Sequence, residues 1–86
     1  MKKGDLVKRV RKSKESFYDE LKIGDSGIII KGPYEKNITD IAFEQSPWKF
    51  RKNGPKFTVL KRVVDLMCEN RIYKYCIVDD YEREKL

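Results

Sequence analysis

The sequence predicts an all-β domain: a small, strongly bent, partly open barrel of about five short strands. Three observations lead there. A Gly-Asp pair stands directly before an aliphatic run twice, at Gly4-Asp5-Leu6-Val7 and at Gly24-Asp25-Ser26-Gly27-Ile28-Ile29-Ile30. Glycine admits the tight turn that starts a short curved strand, and the aliphatic residues after it suit a pleated, half-buried surface. The C-terminal third then holds β-rich runs separated by a short polar turn.

The elements follow in chain order. Residues 5–10 read as a first strand ending in a basic cluster. Residues 11–25 are polar, with Phe17, Tyr18, Leu21 and Ile23 the apolar exceptions, and read as a long hairpin loop over one mouth of the barrel. A single helical turn capped by Ser16, with Leu21 packing inward, is the other reading of part of this loop. Residues 27–31 form a second strand, which Gly32-Pro33 is expected to stop by removing a donor and bending the chain. Residues 33–56 read as an elaborated connection. Within it, 39–43 alternate like a strand while Ile38, Ile41, Ala42 and Gln45 have helical spacing, and Asn53-Gly54 is a strong two-residue hairpin signal.

Residues 57–60 and 63–68 are β-rich, 69–71 form a turn, and 72–78 return as a partner strand. With Asp65 outward, Val64, Leu66 and Cys68 point inside, and a two-residue turn near 70 puts Tyr73 and Tyr75 on that same face. Residues 79–82 read as a tight turn before a last short segment, 83–86. The whole chain, 1–86, is one domain, and Gly4, Gly24, Gly27, Gly32 and Gly54 serve its turns.

This layout resembles an SH3-like barrel. The residues that carry the likeness are Lys3-Gly4-Asp5-Leu6-Val7, Gly24 and Gly27 ahead of Ile28-Ile29-Ile30, and the Lys31-Gly32-Pro33-Tyr34 turn. The glycine placement is similar to KOW-type modules, and the whole is similar to small SH3-like proteins of tailed bacteriophages. The likeness covers roughly residues 3–32 and 57–84, which leaves 33–56 as a long insertion between strands 2 and 3. It implies a binding or structural role in host cytoplasm or virion, and it brings no catalytic residues.

Composition excludes several classes of chemistry. The chain has no histidine and two cysteines, Cys68 and Cys76, so neither a zinc site in fours nor a Ser-His or Cys-His pair can be assembled. A hairpin turn near 70 pairs Cys68 with 71–73 and Cys76 with 63–65, so the two thiols are expected to stay free. Gly24-Asp25-Ser26-Gly27 lacks the Lys-Ser/Thr of a phosphate loop. Asp79, Asp80 and Glu82 are a carboxylate cluster that reads as a solvated turn. No cofactor, small-molecule substrate or enzymatic activity is expected. No apolar run approaches the ~20 residues of a membrane span, and Met1-Lys2-Lys3-Gly4-Asp5 is unlike a signal peptide.

What remains is binding. Lys and Arg outnumber Asp and Glu 20 to 14, with a net +8 in residues 1–62 and −2 in 63–86. A basic face and an acidic C-terminal edge are expected. The candidate partner-binding residues are Tyr34, Trp48, Lys49, Phe50, Arg51, Lys52 and Lys56, where aromatic and basic side chains interleave. They suit a protein interface, in which Trp, Tyr and Arg dominate, and they also suit nucleic acid through phosphate neutralisation and base stacking. Trp48 and Phe50 have a third use, as a cover for an open end of the barrel. Lys8, Arg9, Arg11, Lys12 and Lys14 read as a charged loop. Protein subunits of a larger assembly are the leading partners, with RNA or the ribosome the alternative.

Overall fold

A computed structural model describes residues 1–16, 18–38 and 59–84. The expectations for Trp48, Lys49, Phe50, Arg51, Lys52, Lys56 and Gly54 lie outside the described residues.

Among the described residues, five antiparallel strands form one open sheet: β1 (Leu6–Arg9), β2 (Ser26–Asn37), β3 (Leu60–Cys68), β4 (Arg71–Ile77) and β5 (Tyr81–Arg83). Their spatial order is β4-β3-β2-β1-β5, so β4 and β5 are the edges. Single turns of 3-10 helix lie at Lys14–Ser16 and Val78–Asp80. The all-β expectation holds.

The two Gly-Asp starts fold into the same turn. Asp5 N–H donates to the Lys2 carbonyl at 3.1 Å, and Asp25 N–H donates to the Lys22 carbonyl at 3.0 Å. Gly4 and Gly24 sit at φ 95° and 99°, the third position of a type II turn. In each turn the aspartate carboxylate also accepts the N–H three residues back, from Lys2 at 3.0 Å and from Lys22 at 2.9 Å. A Cβ on Gly24 would meet nothing within 4 Å, so only the backbone resists substitution. Gly24→Ala is therefore expected to lower the unfolding free energy by about 1–2 kcal/mol, read from urea melts.

Gly27 serves differently. Its φ is ordinary, but a Cβ there would sit 3.1 Å from the Met67 carbonyl and 3.3 Å from Leu66 Cβ, so its role is the close approach of β2 to β3.

Several expectations need correction. Gly32-Pro33 does not stop the second strand. Pairing with β3 shifts register between Ile29 and Lys31 and again between Lys31 and Tyr34, then resumes through Asn37 opposite Leu60. The irregularity absorbs the proline, which has no N–H to donate. Gly32 takes φ 99° there, and its missing Cβ avoids the Val63 carbonyl at 2.9 Å.

Asp65 does alternate with Val64 and Leu66, but it is buried rather than exposed, its carboxylate held by Tyr34 and Tyr75 beside the second cluster. Val64 and Leu66 do pack inside, as expected. A slip in the register of β3 and β4 between Val64 and Leu66 coincides with Tyr75 at φ 63°, which separates the tyrosines: Tyr73 packs on one core cluster and Tyr75 on another. Arg9 and Asp80, expected in a charged loop and a solvated turn, are both fully buried.

The main core joins Val7, Leu21, Ile29, Val64, Leu66, Cys76 and Tyr81 across all five strands and the 11–25 loop. A smaller cluster of Ile38, Val63 and Ile77 is flanked by Tyr18, Tyr34 and Tyr75. The hairpin turns at Glu69 and Asn70, with φ 50° and 66°, fix Cys68 opposite Arg71 and Val64 opposite Cys76. Both thiols are free, as that register requires.

Candidate binding surface

A groove of about 250 Å³ runs between the 18–20 segment and edge strand β4, lined by Tyr18, Glu20, Arg71, Tyr73, Lys74 and Tyr75 together with Asp19 and Ile72. Its loop wall is held from behind by a buried ionic network. Arg9, at the end of β1, pairs with Asp19 at 2.9 Å and with Asp80 at 3.4 Å. Its guanidinium also donates to the Leu21 carbonyl at 2.8 Å, the Ser16 hydroxyl at 2.7 Å and the Arg11 carbonyl at 3.0 Å. Asp19 accepts the Tyr81 hydroxyl at 2.7 Å and the Leu21 N–H at 3.0 Å. Asp80 accepts the Ser13 hydroxyl at 3.0 Å. A planar, five-donor guanidinium is the one cation able to satisfy so many acceptors at once. The long polar loop thus folds back onto the sheet around one arginine.

The strand wall of the groove is fixed by the register slip. Tyr18 donates its hydroxyl to the Tyr75 carbonyl at 2.8 Å, which ties loop to strand across the groove floor. Asp65, opposite the extra residue that the slip puts into β4, accepts the Tyr34 hydroxyl at 2.6 Å and the Tyr75 N–H at 3.2 Å. Cations lie over the rings: Arg71 is 5.4 Å from the Tyr73 centroid, and Lys36 is 5.2 Å from that of Tyr75. Arg71 and Glu20 approach to 3.7 Å at the mouth, both about 70% exposed, a contact of little energetic weight.

Of the predicted binding residues, Tyr34 alone is among those described. It is half-buried, with its hydroxyl committed to Asp65 and its ring under Lys31 at 5.2 Å. Sequence reading missed Tyr18, Tyr73 and Tyr75 as one surface. Their Tyr-rich spacing was visible, but the slip that separates two of them was not.

On the outer face of the sheet, the pairing aligns Leu6 with Ile28, Ile28 with Met67, and Met67 with Ile72. The result is an apolar row across four strands, spanning roughly 14 Å. Ile28 is 47% and Ile72 54% exposed.

Burial also rearranges the charge. Arg9, Asp19, Asp65 and Asp80 are buried and together carry −2, so the other described residues carry +5. Among the described residues of the C-terminal part, Arg71, Lys74 and Arg83 stand against Glu69, Asp79, Glu82 and Glu84 once Asp65 and Asp80 are buried, a net −1.

Burial pushes the Tyr18, Tyr34 and Tyr81 phenols far above the ordinary value, and nearby carboxylates add to it. Cys76 is raised by burial and then by Asp19, and Cys68 by burial and then by Glu69, so neither is primed as a nucleophile. Between the ordinary phenol pKa of 10.0 and these higher folded values, the unfolded chain has released protons that the folded chain keeps. Stability is then full below pH 10 and falls as pH rises above it. In a variant with Tyr73→Phe and Tyr75→Phe, where the three buried phenols alone remain, absorbance at ~295 nm is expected to rise only together with loss of β-sheet ellipticity above about pH 10. A rise that precedes unfolding in that variant would contradict the burial.

Among the described residues no group of three or more His, Cys, Asp or Glu is placed to hold a metal ion, and no helix is long and apolar enough to cross a membrane. Compared with protein-family models, curated proteins and solved structures, the chain has no match.

Proposed function

We propose that this chain is a non-catalytic binding module that docks on another protein subunit. One observation carries this reading: the apolar row Leu6, Ile28, Met67 and Ile72 on the solvent side of the sheet. Exposed aliphatic side chains aligned across strands gain from burial against protein, and they offer nothing to phosphate. The surplus of surface cations selects acidic partners and speeds encounter.

The SH3-like assignment belongs to the same proposal. It is supported by β1 lying between β2 and β5, by the 3-10 turn that separates β4 from β5, and by the long stretch between Asn37 and Leu60 as the insertion. The setting, an accessory or virion-associated protein of a tailed bacteriophage, follows from the resemblance.

A KOW-like RNA-binding role is the second reading, favoured by the +5 that the described residues carry outside the buried groups. The two separate in one pair of measurements. A labelled single-stranded RNA probe is expected to show no retention at ~50 mM salt, whereas binding that falls steeply with added salt would replace protein docking by the nucleic-acid reading. In nuclease-treated extracts of producing cells, a subunit captured by the natural chain and lost with Ile28→Glu supports docking through the row. Capture unaffected by that change removes the row from the reading.

A further inference from the structure

The geometry points to edge strand β4 as the place where the partner attaches, by adding an extended segment of its own as a sixth strand, with carboxylates opposite Arg71 and Lys74. This rests on the protein-docking reading and names its mode.

Strand β4 closes one side of the sheet, and among the described residues no strand lies beyond it. Cys68 and Arg71 flank the two-residue turn at Glu69 and Asn70, which makes them a hydrogen-bonded pair. Alternation then turns the N–H and C=O of Ile72 away from β3, toward the open side. That side is where the groove runs, and all five residues from Arg71 to Tyr75 line it. At its far end the Tyr75 carbonyl is already taken by the Tyr18 hydroxyl. The usable edge is therefore 71–74.

A segment laid there would continue both faces of the sheet. On the outer face its side chain beside Ile72 would extend the apolar row to a fifth position. On the inner face its neighbour would lie in the groove against Tyr18 and Tyr73. Backbone pairing supplies the affinity and these two positions the choice of sequence.

Charge decides what occupies the edge. Arg71 and Lys74 are both exposed, and cations on an edge strand discourage pairing with a like strand. A second copy paired through the outward groups of Ile72 would gather Arg71 and Lys74 of both copies, four cations, along one short seam. A segment carrying Asp or Glu at those places removes the penalty, which the overall positive surface reinforces.

The test uses the full chain and two decapeptides of valine and threonine, one carrying glutamate at every third position and one carrying lysine there. In amide NMR titration the glutamate peptide is expected to shift and protect the amides of 71–74, and to bind at least ~10-fold tighter than the lysine peptide. Ile72→Pro removes an N–H that β3 does not use, so the sheet ellipticity should persist while the peptide binds ~10-fold weaker or more. Lys74→Glu changes only an exposed side chain and should erase most of the preference between the two peptides.

Shifts confined to another surface, or no effect of either substitution, would overturn the edge assignment and leave protein docking standing. Self-association in sedimentation that Ile72→Pro abolishes would also overturn it, with a second copy as occupant. Salt-sensitive binding of the RNA probe would instead take down the docking reading itself.

Discussion

Arg9→Met is expected to lower the unfolding free energy by about 3–5 kcal/mol, the largest single effect in the molecule. The substitution keeps much of the side-chain volume and removes the charge. Asp19 and Asp80 would then be two carboxylates in the interior with their shared cation gone. The Leu21 carbonyl and the Ser16 hydroxyl would lose their donor at the same time. Chemical denaturation followed by ellipticity reads the change directly. Adding Asp19→Asn and Asp80→Asn to Arg9→Met should restore part of the loss, since no uncompensated charge would remain. A loss below ~1 kcal/mol for Arg9→Met would mean that the network is not closed around arginine. Because Asp19 and its neighbours form the loop wall of the groove, the same variant should weaken binding there even where it still folds.

Leu66→Ala is expected to cost about 3 kcal/mol, within the range for deleting a fully buried leucine. Leu66 has no exposed surface and sits among Val7, Ile29, Val64, Cys76 and Tyr81. Leu66→Met, which nearly conserves volume, should stay under ~1.5 kcal/mol. Thermal melts of the pair would test whether the core is packed around this position. Equal melting temperatures for the two would contradict the packing described. One place earlier, Asp65 is buried too, but beside the tyrosines of the second cluster.

That neighbouring pair marks where the sequence could be read and where it could not. The turns at Gly4-Asp5 and Gly24-Asp25 were legible because their chemistry is local: a glycine with positive φ and an aspartate bonding three residues back. So were the hairpin at 69–70 and the inward facing of Val64 and Leu66. The burial of Asp65 was not, because it comes from Tyr34 and Tyr75 of other strands, brought over it where β2 and β4 each carry inserted residues. The passage of β2 through Gly32-Pro33 escaped because a strict two-residue alternation has no place for an inserted register slip. Arg9 and Asp80 are 71 positions apart, and nothing local to either distinguishes a buried ion pair from solvated charge. The groove depends on that pair and on the slip, so little of it could be anticipated. Its tyrosines were visible singly, whereas their arrangement comes from long-range contacts.

The duplicated turn has a consequence for how the first two strands are locked. Gly4 N–H donates to the Ile29 carbonyl of β2, while Gly24 N–H donates to the Arg9 carbonyl of β1. Each turn thus latches the strand that the other turn launches, one at each end of the ribbon. Sliding β1 along β2 by a single position would unfasten both latches together. A chain trimmed to begin at Asp5 would keep every core side chain yet have only one end of that ribbon fastened, so the first few residues act as a clasp for the sheet.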